Sequence, residues 1–298
     1  MHRDYTVSIL RLDKIHPEIS GNKWFKLKYN IQKAKRENYQ TLLTFGGAHS
    51  NHIAAMAAAC RESGLRSIGV IRGENTNHPS PTLINARENG MEIFFLERKK
   101  YSDKYSASVF RFLEEHFGKF YTVPEGGNNK EGILGCREIL PEENYFDYVL
   151  CACGTGATYA GIVSSCKPGT VVMGINVLKG KNGLVEEVQK NLSTLFSEKK
   201  ISLKGNEELE KVIIENSCIT DKYCFSGYAG YEQQLIDFKS DFEKMFSIPL
   251  DYVYTSKLFY ATFDLMKKKK FTPGSKILIV HSGGLQGNKA FEKRFGIA

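Results

Sequence analysis

Two observations predict an α/β protein with parallel sheets. Short apolar runs alternate with stretches of helical periodicity over most of the chain, the pattern of repeated βαβ units. The alternation comes as two series separated by a loop-rich middle, which favours two α/β units over one eight-fold barrel. Val7 to Leu12 reads as a strand, and Trp24 to Lys35 as a helix with Phe25, Leu27, Ile31 and Ala34 spaced around it. Thr41 to Phe45 follows as a strand, Asn51 to Ser63 as an alanine-rich helix, and Ser67 to Ile71 as a strand. Thr82 to Asn89 then reads as a helix and Glu92 to Leu96 as a strand. The second series begins with strand Tyr148 to Ala152, helix Ala157 to Ser165, strand Val171 to Ile175 and helix Gly183 to Leu192. It closes with helices Glu232 to Phe246 and Ser256 to Lys268 and the strand Lys276 to Val280.

Composition narrows the class further. The 298 residues are 42% hydrophobic, 12% aromatic and 25% charged, enough apolar material for a sizeable core and unlike a disordered chain. No run approaches the roughly 18 uninterrupted apolar residues of a membrane span, and Met1-His2-Arg3-Asp4 leads into a strand and not a signal segment, so a soluble cytoplasmic protein is expected. The 41 Lys and Arg against 33 Asp and Glu leave a net charge of +8. These cations are scattered, and the longest cluster, Lys267 to Lys270, ends a helix where positive charge complements the dipole. Without zinc spacing, a recognition-helix pattern or an RNP-like aromatic motif, no nucleic-acid partner is expected. Seven cysteines, an odd number, argue against a disulfide framework. Cys151 and Cys153 fall on one face of a strand and read as buried small residues, with no His or second Cys pair at metal-ligand spacing.

Several turns carry chemistry. Gly46-Gly47-Ala48-His49-Ser50-Asn51-His52 and Gly154-Thr155-Gly156-Ala157-Thr158 each hand a strand over to a helix. A glycine-rich turn of this kind presents free backbone N–H groups and the positive end of a helix dipole, and so suits phosphate as well as a tight turn. It lacks the third glycine of a dinucleotide fingerprint and the Gly-Lys-Ser/Thr of a Walker loop. Lys23, in Ser20-Gly21-Asn22-Lys23, stands at a predicted helix start, where the dipole disfavours the ammonium and favours the neutral amine that Schiff-base chemistry requires.

In this order the segments Gly21-Asn22-Lys23, Gly46 to His52, Gly154 to Thr158 and His281-Ser282-Gly283-Gly284 resemble the fold type II pyridoxal-phosphate enzymes. Within them the chain resembles the family of 1-aminocyclopropane-1-carboxylate deaminase and D-cysteine desulfhydrase, from about Ile9 to Gly296. The resemblance implies two interlocked three-layer α/β/α domains of the tryptophan synthase β type. Residues 1–25 and 126–298 would form the larger, cofactor-binding domain and 26–125 the smaller one. It implies pyridoxal phosphate as cofactor, a small amino acid as substrate and a homodimer.

Residue by residue, Lys23 matches the lysine bonded to the cofactor, and Ser50 the serine beside the substrate carboxylate that is implicated in proton transfer at Cα. Asn51 matches the asparagine next to the ring hydroxyl, and His52 stands where relatives carry His or Gln for the carboxylate. Gly154, Thr155, Gly156, Ala157 and Thr158 match the phosphate loop, and Tyr228 and Tyr254 the two active-site tyrosines. Thr255 and Ser282 match hydroxyl residues of the desulfhydrase branch, where the cyclopropane deaminases carry Glu and Leu. A hydroxyl beside the pyridine nitrogen makes a weaker electron sink than a carboxylate would, which suits loss of a thiolate better than opening of a cyclopropane. The resemblance thus implies α,β-elimination from D-cysteine to pyruvate, ammonia and sulfide. Deamination of 1-aminocyclopropane-1-carboxylate to 2-oxobutanoate is the alternative, and a non-catalytic homologue the alternative from another class. The departures are Arg11-Leu12-Asp13-Lys14 near the start, Ala229-Gly230-Tyr231 after Tyr228, and Tyr252 in place of proline.

Overall fold

The computed structural model describes residues 5–75, 77–142, 145–178, 183–197 and 217–297. In chain order the elements begin with β1 (Thr6–Arg11), α1 (Asn22–Arg36), β2 (Thr41–Gly46), α2 (Asn51–Ser63) and β3 (Arg66–Arg72). They continue with α3 (Pro81–Glu88), β4 (Met91–Leu96), α4 (Arg98–Ser102), α5 (Ala107–Phe117), β5 (Tyr121–Val123) and α6 (Lys130–Cys136). Next come β6 (Tyr148–Cys153), α7 (Ala157–Val163), β7 (Val171–Asn176), α8 (Leu184–Ser197) and β8 (Ser217–Thr220). The last are α9 (Gln233–Phe246), α10 (Thr255–Lys267), β9 (Lys276–His281) and α11 (Asn288–Phe295).

These strands form two parallel sheets, one of order β1-β9-β6-β7-β8 and one of order β4-β3-β2-β5. Both are covered by helices on each face, and the period-2 alternation of their side chains shows it. In β6, Val149, Cys151 and Cys153 face the core built with α6, α7 and α8, while Leu150 and Ala152 face the core built with α9 and α10. Cys151 and Cys153 therefore share one face, as their spacing predicts. In the smaller sheet Leu42 and Ile71 pack under α1, α2 and α3, whereas Leu43, Phe45, Ile68 and Val70 pack against α4 and α5.

The segment between the two series is not mainly loop. It holds α4, α5, β5 and α6, which are short and separated by Gly, Ser and Asn, so little periodicity accumulates in any one of them. In α5, capped by Ser106, only Val109 and Leu113 are buried, one turn apart.

Helix α1 ties the two cores together. Phe25 packs into the core of the larger sheet, while Leu27 and Ala34 pack into that of the smaller one. The contact with α6 is so close that a Cβ at Gly135 would lie 1.8 Å from the Phe25 carbonyl oxygen. At the other end of α1, Gly21 has φ +69° and a Cβ there would lie 1.9 Å from the Ser282 carbonyl oxygen. That oxygen accepts from the Asn22 N–H at 3.2 Å, which docks the start of α1 onto the end of β9. Among the described residues no helix is long and apolar enough to cross a membrane.

Candidate active site

The strands of a parallel sheet end where the following helices begin, and the crevice outside those ends is the usual ligand position in open α/β sheets. Here it is a cavity of about 410 Å³. The start of α1 supplies Lys23 and Lys26, and the turn into α2 supplies Ser50, Asn51 and His52. The loop into α7 supplies Gly154, Thr155, Gly156 and Thr158. Tyr228, Tyr254 and Ser282 complete the wall.

Lys23 is the second residue of α1, and its Nζ donates to Asn22 Oδ1 at 3.0 Å. Asn22 in turn donates from Nδ2 to Thr158 Oγ1 at 2.8 Å, linking the lysine to the glycine-rich loop. Burial, and next the like charge of Lys26, bring the Lys23 ammonium down from an ordinary 10.5 to about 7. Desolvation and a neighbouring cation thus act where sequence position had suggested the helix dipole.

Lys26, one turn further along, is only 3% exposed and donates to the Gly126 carbonyl at 2.9 Å. The sequence reading passed it over, although a signal was present: it lies on the buried stripe of α1 with Leu27, Asn30 and Ala34. A lysine on such a stripe has a reason to be there. Arg72 and Glu125, which also line the cavity, carry no comparable sequence signal.

His52 is held in one tautomer. The Thr44 hydroxyl donates to the Val123 carbonyl at 2.7 Å, so the 2.9 Å contact between Thr44 Oγ1 and His52 Nε2 must have the ring nitrogen as donor. Nδ1 is then an acceptor, buried and without a partner. Burial, Lys23 and Lys26 push its pKa well below the ordinary value, so the ring is neutral. An acceptor of this kind cannot hold a carboxylate through its side chain.

Ser50 is the N-cap of α2, its Oγ accepting from the N–H groups of His52 and Ile53, which leaves its proton free to donate toward the cavity. The rings of Tyr228 and Tyr254 meet edge to face with centroids 6.4 Å apart. Burial raises both phenols, Tyr254 far above its ordinary value, so both stay protonated at neutral pH.

Two predicted residues do not reach the cavity wall. Ala157 is buried as the first residue of α7. Thr255 is fully buried behind the wall, its hydroxyl accepting from the Asp251 N–H at 2.7 Å and donating to Asp251 Oδ1 at 2.8 Å. Asp251 also accepts from the backbone N–H groups of Val253, Tyr254 and Thr255, so Thr255 belongs to the cap that sets Tyr254 at the start of α10. Ser282 is the one member of the hydroxyl pair that faces the cavity. The substituted Tyr252 stacks on Phe291 at 4.4 Å and lines a side chamber of about 70 Å³ next to the main cavity, with Ala229 on the same wall.

The donor set fits pyridoxal phosphate. Three buried polar atoms on the wall lack partners, Asn51 Oδ1, His52 Nδ1 and Thr155 Oγ1, and such atoms are rare in a folded protein unless a ligand serves them. A low-pKa amine for an aldehyde stands beside a glycine-rich turn with hydroxyls, and a buried ammonium adds positive charge toward a phosphate. Among the described residues, no group of three or more His, Cys, Asp or Glu could hold a metal ion.

Comparison with known proteins points to the same cofactor. The model of the family described as pyridoxal-phosphate dependent enzyme matches residues 7–283. The chain is 29% identical to the mitochondrial bifunctional D-cysteine desulfhydrase/1-aminocyclopropane-1-carboxylate deaminase of Arabidopsis thaliana, over 94% of this chain and 72% of that one. It is 24% identical to a D-cysteine desulfhydrase of Yersinia pestis, over 92% of this chain and 86% of that one. Among solved structures, an ACC deaminase homologue superposes with a TM-score of 0.78 at 24% identity, covering 98% of this chain and 89% of that one. With the match spanning both sheets and the Lys23 amine lining the cavity at their strand ends, the chain belongs to the pyridoxal-phosphate dependent enzymes.

Proposed function

We propose that the protein is a pyridoxal-phosphate dependent lyase that eliminates the β-substituent of a small amino acid, with D-cysteine as its substrate. Water is consumed, and pyruvate, ammonia and sulfide are released. The observation that carries this reading is the buried Lys23 amine, lowered to about 7 in a cavity walled by two protonated tyrosines and the Ser282 hydroxyl. Relatives named as D-cysteine desulfhydrases support it.

In this reading Lys23 would bond the cofactor aldehyde, Thr155, Thr158 and the backbone of Gly154 to Ala157 would hold the phosphate with Lys26, and Asn51 would serve the ring. Bound pyridoxal phosphate supplies an electron sink for the charge that develops at Cα. The Lys23 amine, whose pKa lies near 7, would take the Cα proton. Ser50 donates its free hydroxyl proton to the substrate carboxylate. Tyr254 and Tyr228 hold protons in the cavity wall, and one of them would pass to the thiolate as the Cβ–S bond breaks, the phenol being restored by the proton that Lys23 took from Cα. His52 orients the Ser50 hydroxyl through its backbone N–H, and toward the cavity its ring offers only the acceptor Nδ1, because its Nε2–H is given to Thr44. Ser282 would be the hydroxyl partner of the pyridine nitrogen, and Thr255 acts one layer back by setting Tyr254 through Asp251. The units divide at residues 25/26 and 125/126, and the enzyme works as a homodimer in the cytoplasm.

Loading the purified protein with pyridoxal phosphate should give a visible absorbance band that Lys23→Ala lacks, and D-cysteine should then yield sulfide and pyruvate in equal amounts. A band that survives in Lys23→Ala refutes the assignment. The family relationship also supports 1-aminocyclopropane-1-carboxylate as substrate, and release of 2-oxobutanoate from it faster than pyruvate from D-cysteine would decide for that reading. Cofactor binding with no ammonia from any small D- or L-amino acid would identify a non-catalytic homologue.

A further inference from the structure

One buried lysine stands outside the chemistry described above. Lys257 lies on α10, one turn beyond Tyr254, and is 1% exposed. Its Nζ donates to three backbone carbonyls, those of Val177 at 3.0 Å, Cys224 at 3.0 Å and Gly227 at 2.6 Å. An ammonium has three protons to give, and all three are used. The carbonyls come from two separate pieces of chain that bear on the cavity. Val177 follows β7 and precedes Leu178, which lines the cavity, and Gly227 precedes Tyr228.

The loop that carries Tyr228 is conformationally expensive. Phe225 and Ala229 adopt φ of 50° and 48°, unusual for residues with a side chain, and Gly227 has φ 91°. Backbone of this kind persists only where its surroundings hold it in place. Lys257 binds two of the loop's carbonyls and joins them to the end of β7. Burial brings its ammonium down to about 8, with weaker opposing attraction from Cys224, Asp251 and Glu232. It therefore still carries its charge for the most part at pH 7.

A small cation ringed by inward-pointing carbonyl oxygens is also how proteins replace the hydration shell of a free monovalent ion. We propose that Lys257 is a resident monovalent cation, a positioning residue that pins the Tyr228 loop to the end of β7. Without its side chain, the cage of the Val177, Cys224 and Gly227 carbonyls becomes a binding site for free potassium or ammonium. The cage requires no turnover, so it stands independently of the reaction proposed above.

The test compares wild type, Lys257→Ala and Lys257→Met in choline, potassium and ammonium chloride at equal ionic strength. Two readouts are taken, the melting temperature of the protein and kcat/KM of the cofactor-loaded enzyme. Lys257→Ala leaves three buried acceptors unserved, so in choline it should melt below wild type and lose at least about tenfold in kcat/KM. Potassium or ammonium should restore several degrees and most of the activity by mass action at the vacated cage. Wild type should be indifferent to the cation, and Lys257→Met, whose side chain fills the cage without serving it, should be impaired and not rescued. A Lys257→Ala melting temperature independent of the cation overturns the proposal, as does equal stabilisation of wild type or Lys257→Met by potassium. Should Lys257→Ala fold only in potassium or ammonium, the proposal stands, and failure to fold in all three salts refutes it. Cation-dependent melting without any lyase activity would leave the cage in place and remove the reaction.

Discussion

The strongest consequence of the site concerns the titration of Lys23. With its ammonium near 7 and not 10.5, the ratio of neutral to charged amine at any pH between the two is larger by roughly 3,000-fold than for an ordinary lysine. At pH 8 about 90% of the Lys23 side chain is the free amine, against about 0.3% for an unperturbed one. The perturbation to apply is Lys26→Met, which removes the like charge one turn away, the second cause of the depression after burial. The Lys23 midpoint should then move to higher pH while remaining below 10.5, because desolvation persists. The assay is acetic anhydride labelling of the apo-protein across pH 6 to 11, read peptide by peptide by mass spectrometry. Lys28 serves as internal reference, since its hydrogen bond to Glu138 raises its pKa. The same shift has a sign in stability. The folded state binds fewer protons than the unfolded state between about 7 and 10.5, so the apo-protein should gain stability as pH rises through that window. Lys23→Met should remove this gain, leaving the similar one that Lys257 contributes from about 8 upward, and should be more stable than wild type at pH 7. A Lys23 midpoint matching that of surface lysines, or one that Lys26→Met moves downward, would refute the account.

Thr255→Val should cost about 1–3 kcal/mol of stability by leaving the Asp251 N–H and carboxylate short of partners. It should leave the cofactor absorbance band in place, and a shifted band would show that Thr255 reaches the cofactor after all. Gly21→Ala should lower both the melting temperature and the affinity for pyridoxal phosphate, since its Cβ would fall 1.9 Å from the Ser282 oxygen at φ +69°. Native cofactor affinity in a folded Gly21→Ala protein would contradict the docking of α1 on β9. Ser282→Leu should retain pyridoxal phosphate but release sulfide from D-cysteine at least about tenfold more slowly, a loss equivalent to one hydrogen bond at the transition state. Unchanged release would remove Ser282 from the reaction.

Much of the fold was legible because local periodicity and tertiary burial agree. The alternation Val149, Cys151, Cys153 against Leu150, Ala152 states in sequence which side chains face which core, and the two sheets place them so. The glycine-rich turns into α2 and α7 were legible for a related reason: a strand that hands over to a helix at a tight turn leaves its mark in residue type. The helices α5 and α6 were not legible, because only one or two turns of each are buried and their stability comes from the sheet and from α1.

The ordered motifs, through the resemblance they carry, led to the expectation that an amine, a glycine-rich turn and two tyrosines would meet, and all of them line one cavity. Only the tertiary structure decided what each group can do once there. It showed that Lys23 is depressed by burial and by Lys26, that the one free nitrogen of the His52 ring can only accept, and that Thr255 stands behind the wall while Ser282 stands in it. The physical reason is that desolvation, like-charge repulsion and the direction of a shared proton depend on distances between segments far apart in the chain. Those distances are set by how α1, α10 and the ends of β2 and β9 pack together.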